Sequence, residues 1–194
     1  MSESTWRIAK DEAVGEHGMV VAREPRAAHV GLDVLRRGGN AVDAAVTMAF
    51  ALGVVEPGSS GLGGGGMMVV HETAKGRTTV VDYAMDAPLA AGPDTFELDE
   101  GIGAISYGWR KVKDDANVIG HRAASIPGAV RGLALALERF GTVPLHEALA
   151  PAIRFAEEGF EVDVTLAWGV AAAMPVLSRF PATADVFLPR GFPL

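Results

Sequence analysis

The chain has 194 residues, of which 49% are hydrophobic and 21% charged, a composition typical of one globular domain or slightly more. Seventeen basic residues against twenty-four acidic ones leave a formal net charge of −7, which disfavours general binding of nucleic acid. Because the sequence contains no cysteine, it excludes disulfides, thiolate metal sites and cysteine nucleophiles.

The amino terminus predicts a cytoplasmic location, because it lacks the basic start and the apolar core of a secretory signal. The most apolar stretch, residues 41–55, would span about 22 Å as a helix, whereas a bilayer core is about 30 Å thick. We therefore expect this helix to be buried in protein, and we expect no membrane partner.

Two helices are predicted in the first third of the chain. Residues 18–22 form a β-branched run that predicts a strand, and Pro25 then begins a helix that ends at Gly38. Asn40 is a good N-cap for the second helix, 41–55, which is apolar on nearly every side. Because such a helix must be covered all round, the pattern favours helices layered against sheets.

A hairpin and further helices are predicted in the rest of the chain. Glycines cluster over 58–66, and the runs that follow them are typical of two paired strands. Prolines and glycines interrupt any period over 84–120, so we expect loops with short pieces of structure there. The predicted strands are 67–71 and 77–83, the later helices are 128–140, 144–159 and 166–180, and an apolar tail covers 188–194.

The glycine run Gly61-Leu-Gly63-Gly-Gly-Gly66 matches the dinucleotide pattern G-x-G-x-x-G. That site needs a strand before the glycines and a helix after them, so that the helix N-terminus faces the phosphates. Here the predicted order is reversed. We interpret the run as a turn that lets helix and sheet layers approach closely, in preference to a direct ligand contact.

Other catalytic patterns are incomplete. The two His-Glu pairs lack the second histidine of a zinc-protease site, and the serines beside the glycines lack G-x-S-x-G spacing. Loop carboxylates are interpreted as solvated, so no metal and no cofactor is expected. No set of residues combines a nucleophile, a base and oxyanion donors. The residues considered are His71, Glu72, His146, Glu147, Ser59, Ser60, Asp82, Asp86, Asp114 and Asp115.

Six segments occur in a characteristic order between residues 18 and 160. Together they closely resemble the start of the γ-glutamyltransferase family. They are Gly18-Met-Val-Val-Ala22, Val34-Leu-Arg-Arg-Gly-Gly-Asn-Ala-Val-Asp-Ala-Ala45, Val55-Glu-Pro-Gly-Ser-Ser-Gly-Leu-Gly-Gly-Gly-Gly66, Ala124-Ser-Ile-Pro-Gly128, Phe140-Gly-Thr-Val-Pro-Leu145 and Pro151-Ala-Ile-Arg-Phe-Ala-Glu-Glu-Gly-Phe160.

The resemblance implies an α+β fold, as part of the four-layer αββα sandwich of N-terminal-nucleophile hydrolases. In such enzymes a precursor cuts itself, and the freed N-terminal Thr attacks an amide with its own α-amine as base. Residues 1–194 would be the N-terminal part of the large chain, without the catalytic Thr. The implied partners are the remainder of the large chain, the small catalytic chain and a small-molecule amide substrate.

The resemblance also bears on specificity. In γ-glutamyl enzymes an arginine after the hairpin binds the substrate's α-carboxylate, but Ala84 stands at that position here. Losing such a charge-assisted bond costs about 1.5 to 3 kcal/mol, or about 10- to 150-fold in affinity. Unless Arg110 substitutes for it, we expect non-glutamyl specificity. Tyr83, Ala84 and Asp86 are the predicted substrate-binding residues, and they suit a smaller, neutral or positively charged acyl group.

Two other functions stay open from the sequence. The chain could be a non-catalytic partner or remnant of such an enzyme. Alternatively, it could be a small-molecule binding module that holds an anion at the glycine-rich turn, Gly61–Gly66.

Overall fold

A computed structural model describes residues 12–103 and 108–193. Within these ranges, helices and two small antiparallel sheets form an α+β arrangement. The helices are α1 (Pro25–Arg36), α2 (Ala41–Val55), α3 (Ala129–Phe140), α4 (Leu145–Glu158), α5 (Val164–Leu177) and α6 (Pro181–Phe187). The strands are β1 (Gly66–Glu72), β2 (Arg77–Tyr83), β3 (Leu98–Ile102) and β4 (Arg110–Val112).

The first two helices begin and end where the sequence predicts. The Glu24 side chain accepts a hydrogen bond from the Ala27 amide at 3.0 Å and so caps α1. At the start of α2, the Asn40 side chain accepts from the amides of Val42 and Asp43, and the Asp43 carboxylate accepts from the Asn40 amide at 2.7 Å. This reciprocal capping box satisfies amides that the helix itself leaves without partners.

Helix α2 lies at the centre of the core, as its apolar sequence predicts. It contacts α1, α3 and α4, and its inner side chains pack with those of the β1–β2 hairpin. Burying apolar surface at this intersection is the main stabilising contribution to this part of the fold. The core consists of Val42, Val46, Phe50, Val70, Val81, Leu133, Ala136, Leu137, Ala148 and Ala152.

The predicted hairpin is confirmed. Strands β1 and β2 pair in register from Gly66 opposite Tyr83 to Glu72 opposite Arg77. A single helical turn joins them and ends at Gly76, whose φ of 57° lies in the left-handed region that glycine adopts without strain. One face of the hairpin packs into the core through Val70. The other face is open in this part of the molecule.

The open face of the hairpin and helix α5 expose many apolar side chains. Met67 is 70% exposed, Val69 69% and Val80 57%, and Trp168 on α5 is 79% exposed. On the hairpin, Val69 lies directly opposite Val80, so exposed apolar side chains are neighbours there. Apolar patches of this kind promote association. We therefore expect the 194-residue chain, expressed alone, to elute as oligomers in size-exclusion chromatography with light scattering.

A double substitution on the hairpin, Val69→Lys with Val80→Lys, should shift this isolated chain toward monomer. Val118→Lys changes an apolar residue that is 40% exposed outside the hairpin, and it serves as the matched control. A sharp monomeric peak of the unaltered chain with a cooperative thermal transition would refute the expected association.

One prediction about local structure is wrong. Residues 18–22 are not a strand, because the run has no hydrogen-bonded partner strand among the described residues and a strand forms only by pairing. The predicted helix 166–180 is confirmed as α5, which begins two residues earlier and ends three residues earlier than predicted, at Leu177. A separate helix, α6, then begins at Pro181, since proline suits the first turn of a helix.

The expectation of loops with short pieces of structure over 84–120 is confirmed for 84–103 and 108–120, and residues 104–107 lie outside the described residues. The pieces are β3 and β4, which pair with an irregular register between Leu98 and Ile102, and a short helical turn at Lys113–Asp115. Each helix among the described residues is too short or too polar to span a bilayer. The cytoplasmic location stays a prediction.

Candidate functional site

The predicted substrate-binding residues lie where β2 ends and the chain approaches the start of α3. Tyr83 is the last residue of β2, and the Ala84 amide donates to the Asp82 carboxylate at 3.0 Å. Two residues on, Asp86 forms an antiparallel bridge with Ile126. We call the residues that meet here, 64–66, 83–86 and 126–128, the β2 junction.

The glycine run forms one side of the β2 junction. The Gly64 carbonyl accepts hydrogen bonds from the amides of Gly128 and Ala129, both at 3.0 Å. A Cβ on Gly65 would lie 2.6 Å from the Tyr83 carbonyl oxygen, a distance that side chains do not tolerate. The close-approach interpretation is therefore confirmed for Gly64–Gly66, whereas a Cβ at Gly61 or Gly63 would meet open space. Since α2 precedes the glycines and β1 follows them, the order is also the reverse of a dinucleotide site.

Tyr83 faces the helical layer. Its ring packs against Gly132 of α3 and Gly66 of β1, positions where a Cβ would collide with it. The side chain is partly buried beside the core, and this burial raises the pKa of the phenol above its ordinary value. Tyr83 thus packs between the junction and the core, whereas Ala84 and Asp86 are exposed on the surface of the junction.

A substitution at Gly132 tests this packing. In Gly132→Ala, the added methyl group would overlap the Tyr83 ring, so we expect a loss of about 1–3 kcal/mol in the free energy of unfolding. Gly169→Ala on α5 is the matched control, because its Cβ would meet open space and alanine favours a helix. Thermal unfolding of both variants measures the difference, and equal midpoints would refute the packing role.

The β2 junction carries negative charge. Within residues 12–103 and 108–193, no ion pair joins Asp86 to a basic side chain. Arg110, the proposed substitute for the missing arginine, lies on β4 in register with Ile102. Arg122 donates to the Thr95 carbonyl, and its guanidinium lies 5.3 Å from the centroid of the Phe96 ring. Arg122 is thus held against the segment that precedes β3.

The other sequence candidates lie apart from the junction or stay isolated. His146 and Glu147 are exposed on α4, and the carboxylates Asp82, Asp86, Asp114 and Asp115 form no cluster with metal-ligand character among the described residues. Sequence reasoning did not place residues 126–128 at the junction, because Ile126 and its partner Asp86 are far apart along the chain.

A separate cavity of about 420 Å³ lies between the end of α2 and helix α5. None of its lining residues belongs to the β2 junction. Its polar groups already bind one another: Arg23 lies 2.5 Å from Glu56, and Asp163 accepts from the Leu166 amide at the start of α5. The cavity therefore offers less free charge to a ligand than the junction does.

Known proteins of one family are similar to this chain. The family model for gamma-glutamyltranspeptidase matches residues 27–194. The chain is 43% identical over 185 residues to the glutathione hydrolase proenzyme of Bacillus subtilis (strain 168), covering 95% of this chain and 30% of that protein. It is also 43% identical over 186 residues to the acylase ACY 1 proenzyme of Pseudomonas sp. (strain V22), covering 95% and 32%.

A solved structure agrees with these matches. The crystal structure of Helicobacter pylori gamma-glutamyltranspeptidase resembles this chain with a TM-score of 0.81 at 32% identity, covering 91% of this chain and 48% of that one. The predicted α+β fold is thereby confirmed, and the described helices and sheets are an incomplete part of that hydrolase sandwich. The chain spans about a third of the length of the curated relatives named above. It belongs to the gamma-glutamyltranspeptidase family.

Proposed function

We propose that the chain forms the scaffold and one substrate-binding wall of an amide-cleaving enzyme. Residues 1–194 are the N-terminal part of its large chain, and the attacking Thr hydroxyl is delivered by polypeptide outside these residues. The curated relatives are named proenzymes, which supports a precursor that is cut into two chains. The Thr α-amine then acts as base, because a free hydroxyl is too weakly nucleophilic by itself.

The specificity of this enzyme is for acyl groups other than γ-glutamyl. The two relatives are equally similar to the chain, yet one is named a glutathione hydrolase and the other an acylase, so overall identity does not choose between them. The observation that carries the proposal is the surface of the β2 junction. There an alanine, Ala84, occupies the position that the resemblance gives to a carboxylate-binding arginine, and the exposed carboxyl of Asp86 lies two residues away.

The charge at this surface opposes a γ-glutamyl donor. A methyl group at Ala84 donates no hydrogen bond, so a substrate carboxylate there would lose solvation without gaining a partner. The Asp86 carboxylate adds repulsion between like charges. An acyl group without that carboxylate avoids both costs, and one with a positive charge gains attraction.

Four p-nitroanilides test the specificity in the complete, processed enzyme: γ-glutamyl, 4-aminobutanoyl, butanoyl and acetyl. The first two differ only in the α-carboxylate. We expect kcat/KM to be about 10-fold higher or more for the 4-aminobutanoyl than for the γ-glutamyl amide, because the unpartnered α-carboxylate loses solvation and is repelled by Asp86, at a cost of about 1–3 kcal/mol. Efficient turnover of the γ-glutamyl amide, equal to or above that of 4-aminobutanoyl, would end the proposal of non-glutamyl specificity.

A further inference from the structure

The bridge between Asp86 and Ile126 fixes the relative placement of two side chains. The Asp86 amide donates to the Ile126 carbonyl at 3.3 Å, and the Ile126 amide donates to the Asp86 carbonyl at 2.9 Å. Residues that exchange both bonds are directly opposite in an antiparallel pair, with Cα atoms about 5.5 Å apart. Their side chains therefore project from the same face and lie next to each other.

Both side chains of this pair are available to a ligand in the described part of the molecule. Ile126 is 53% exposed, and the exposed carboxylate of Asp86 has no ion-pair partner among the described residues. The face thus combines a branched apolar group with an adjacent negative charge. Such a surface is complementary to a molecule that carries an aliphatic stretch beside a positive charge.

The backbone on both sides of the pair is held in place. After Ile126, Pro127 restricts the chain, and the next two amides bind the Gly64 carbonyl at 3.0 Å each. Before Asp86, the backbone of residues 83–85 lies against Gly65. An exposed isoleucine alone is ordinary on protein surfaces. This one is fixed beside a carboxylate and the predicted substrate wall, and a fixed surface loses little entropy when it binds a ligand.

We infer that Ile126 and Asp86 together form an acyl-group subsite for amides of short ω-amino acids, a role that rests on the proposed function. The aliphatic chain of the acyl group packs on Ile126, and its protonated amine pairs with the Asp86 carboxylate. Ile126 thereby becomes a specificity-determining residue, in addition to Ala84 and Asp86.

The test uses three of the same p-nitroanilides and the complete, processed enzyme. In Ile126→Ala, kcat/KM should fall about 10-fold for both the butanoyl and the 4-aminobutanoyl amide, because both lose apolar contact, and should be unchanged for the acetyl amide. In Asp86→Asn, kcat/KM should fall about 10-fold or more for the 4-aminobutanoyl amide alone, because only that acyl group is charged. The conservative variant Ile126→Val should keep most of the kcat/KM that Ile126→Ala loses.

Val130→Ala is the matched control, because Val130 is a 46% exposed apolar residue on α3 outside the bridge. The inference is overturned if Ile126→Ala behaves like Val130→Ala, or if the acetyl amide loses activity in parallel, which would indicate a structural role. It is overturned equally if Asp86→Asn leaves the ratio of 4-aminobutanoyl to butanoyl turnover unchanged. If the unaltered, processed enzyme cleaves none of the amides, the proposed function itself fails.

Discussion

Replacing Asp43 with asparagine should lower the free energy of unfolding by about 3 kcal/mol, because buried donors that bind its carboxylate would lose a charged acceptor. The Asp43 side chain is fully buried at the start of α2. Its carboxylate accepts from the Asn40 amide at 2.7 Å, the Thr142 amide at 2.7 Å, the Thr142 hydroxyl at 2.6 Å and the Val143 amide at 3.1 Å. An asparagine NH₂ would instead face some of these donors.

The destabilisation should depend on pH. Burial raises the pKa of Asp43, but hydrogen bonds from Thr142, Asn40 and Val143 outweigh it and hold the pKa below that of an ordinary aspartate. A lowered folded-state pKa stabilises the protein above the unfolded pKa of about 4. This contribution is lost as the pH falls through the folded-state pKa. The difference in the free energy of unfolding between the original protein and Asp43→Asn should therefore become smaller in acid.

Thermal or urea unfolding of the complete enzyme at pH 7 and in acid measures both effects. Asp33→Asn is the matched control, because the Asp33 carboxyl is 62% exposed and lies 3.4 Å from Arg36 on the surface of α1. Exposed pairs of this kind contribute little to stability. If Asp43→Asn and Asp33→Asn had the same unfolding midpoint, Asp43 would not join α2 to the α3–α4 connection in the way described.

Replacing Ala84 with arginine should raise the kcat/KM ratio of γ-glutamyl to 4-aminobutanoyl p-nitroanilide by about 10- to 150-fold. The guanidinium would supply two parallel donors to the α-carboxylate, the interaction that the alanine lacks. The same charge should weaken binding of the cationic 4-aminobutanoyl group. The measurement is the ratio of the two steady-state constants in the complete, processed enzyme.

Ala87→Arg controls for charge and size, because Ala87 is an exposed alanine of the same loop, after the bridge residue Asp86. Its effect on the ratio should be small. A gain from Ala87→Arg as large as that from Ala84→Arg would mean that general charge, and not the position at the β2 junction, controls donor choice.

The sequence predicts those features whose causes are local. Asn40 and Asp43 are three residues apart, so the capping box and the start of α2 can be recognised from adjacent residues. The β1–β2 hairpin can also be recognised from neighbouring residues, because only a short turn that ends at Gly76 separates its strands. In these elements, hydrogen-bond partners and hydrophobic periodicity are found within one stretch of chain.

The features that the sequence does not predict depend on residues far apart in the chain. Asp43 binds the Thr142 hydroxyl across 99 positions, and the local pattern suggests only a favourable charge in the first turn of α2. The bridge from Asp86 to Ile126 likewise joins the two ends of a long excursion, so no spacing rule identifies Ile126. Residues 18–22 have strand-like composition, but composition does not supply a partner strand.

We propose that these residues form a substrate wall while another stretch of polypeptide supplies the attacking hydroxyl. N-terminal sequencing of the complete enzyme, purified in active form, tests this claim most directly. We predict two chains, one that contains residues 1–194 and a smaller one whose first residue is Thr. An active preparation made of a single uncleaved polypeptide, or one whose second chain begins with a residue other than Thr, would contradict the account.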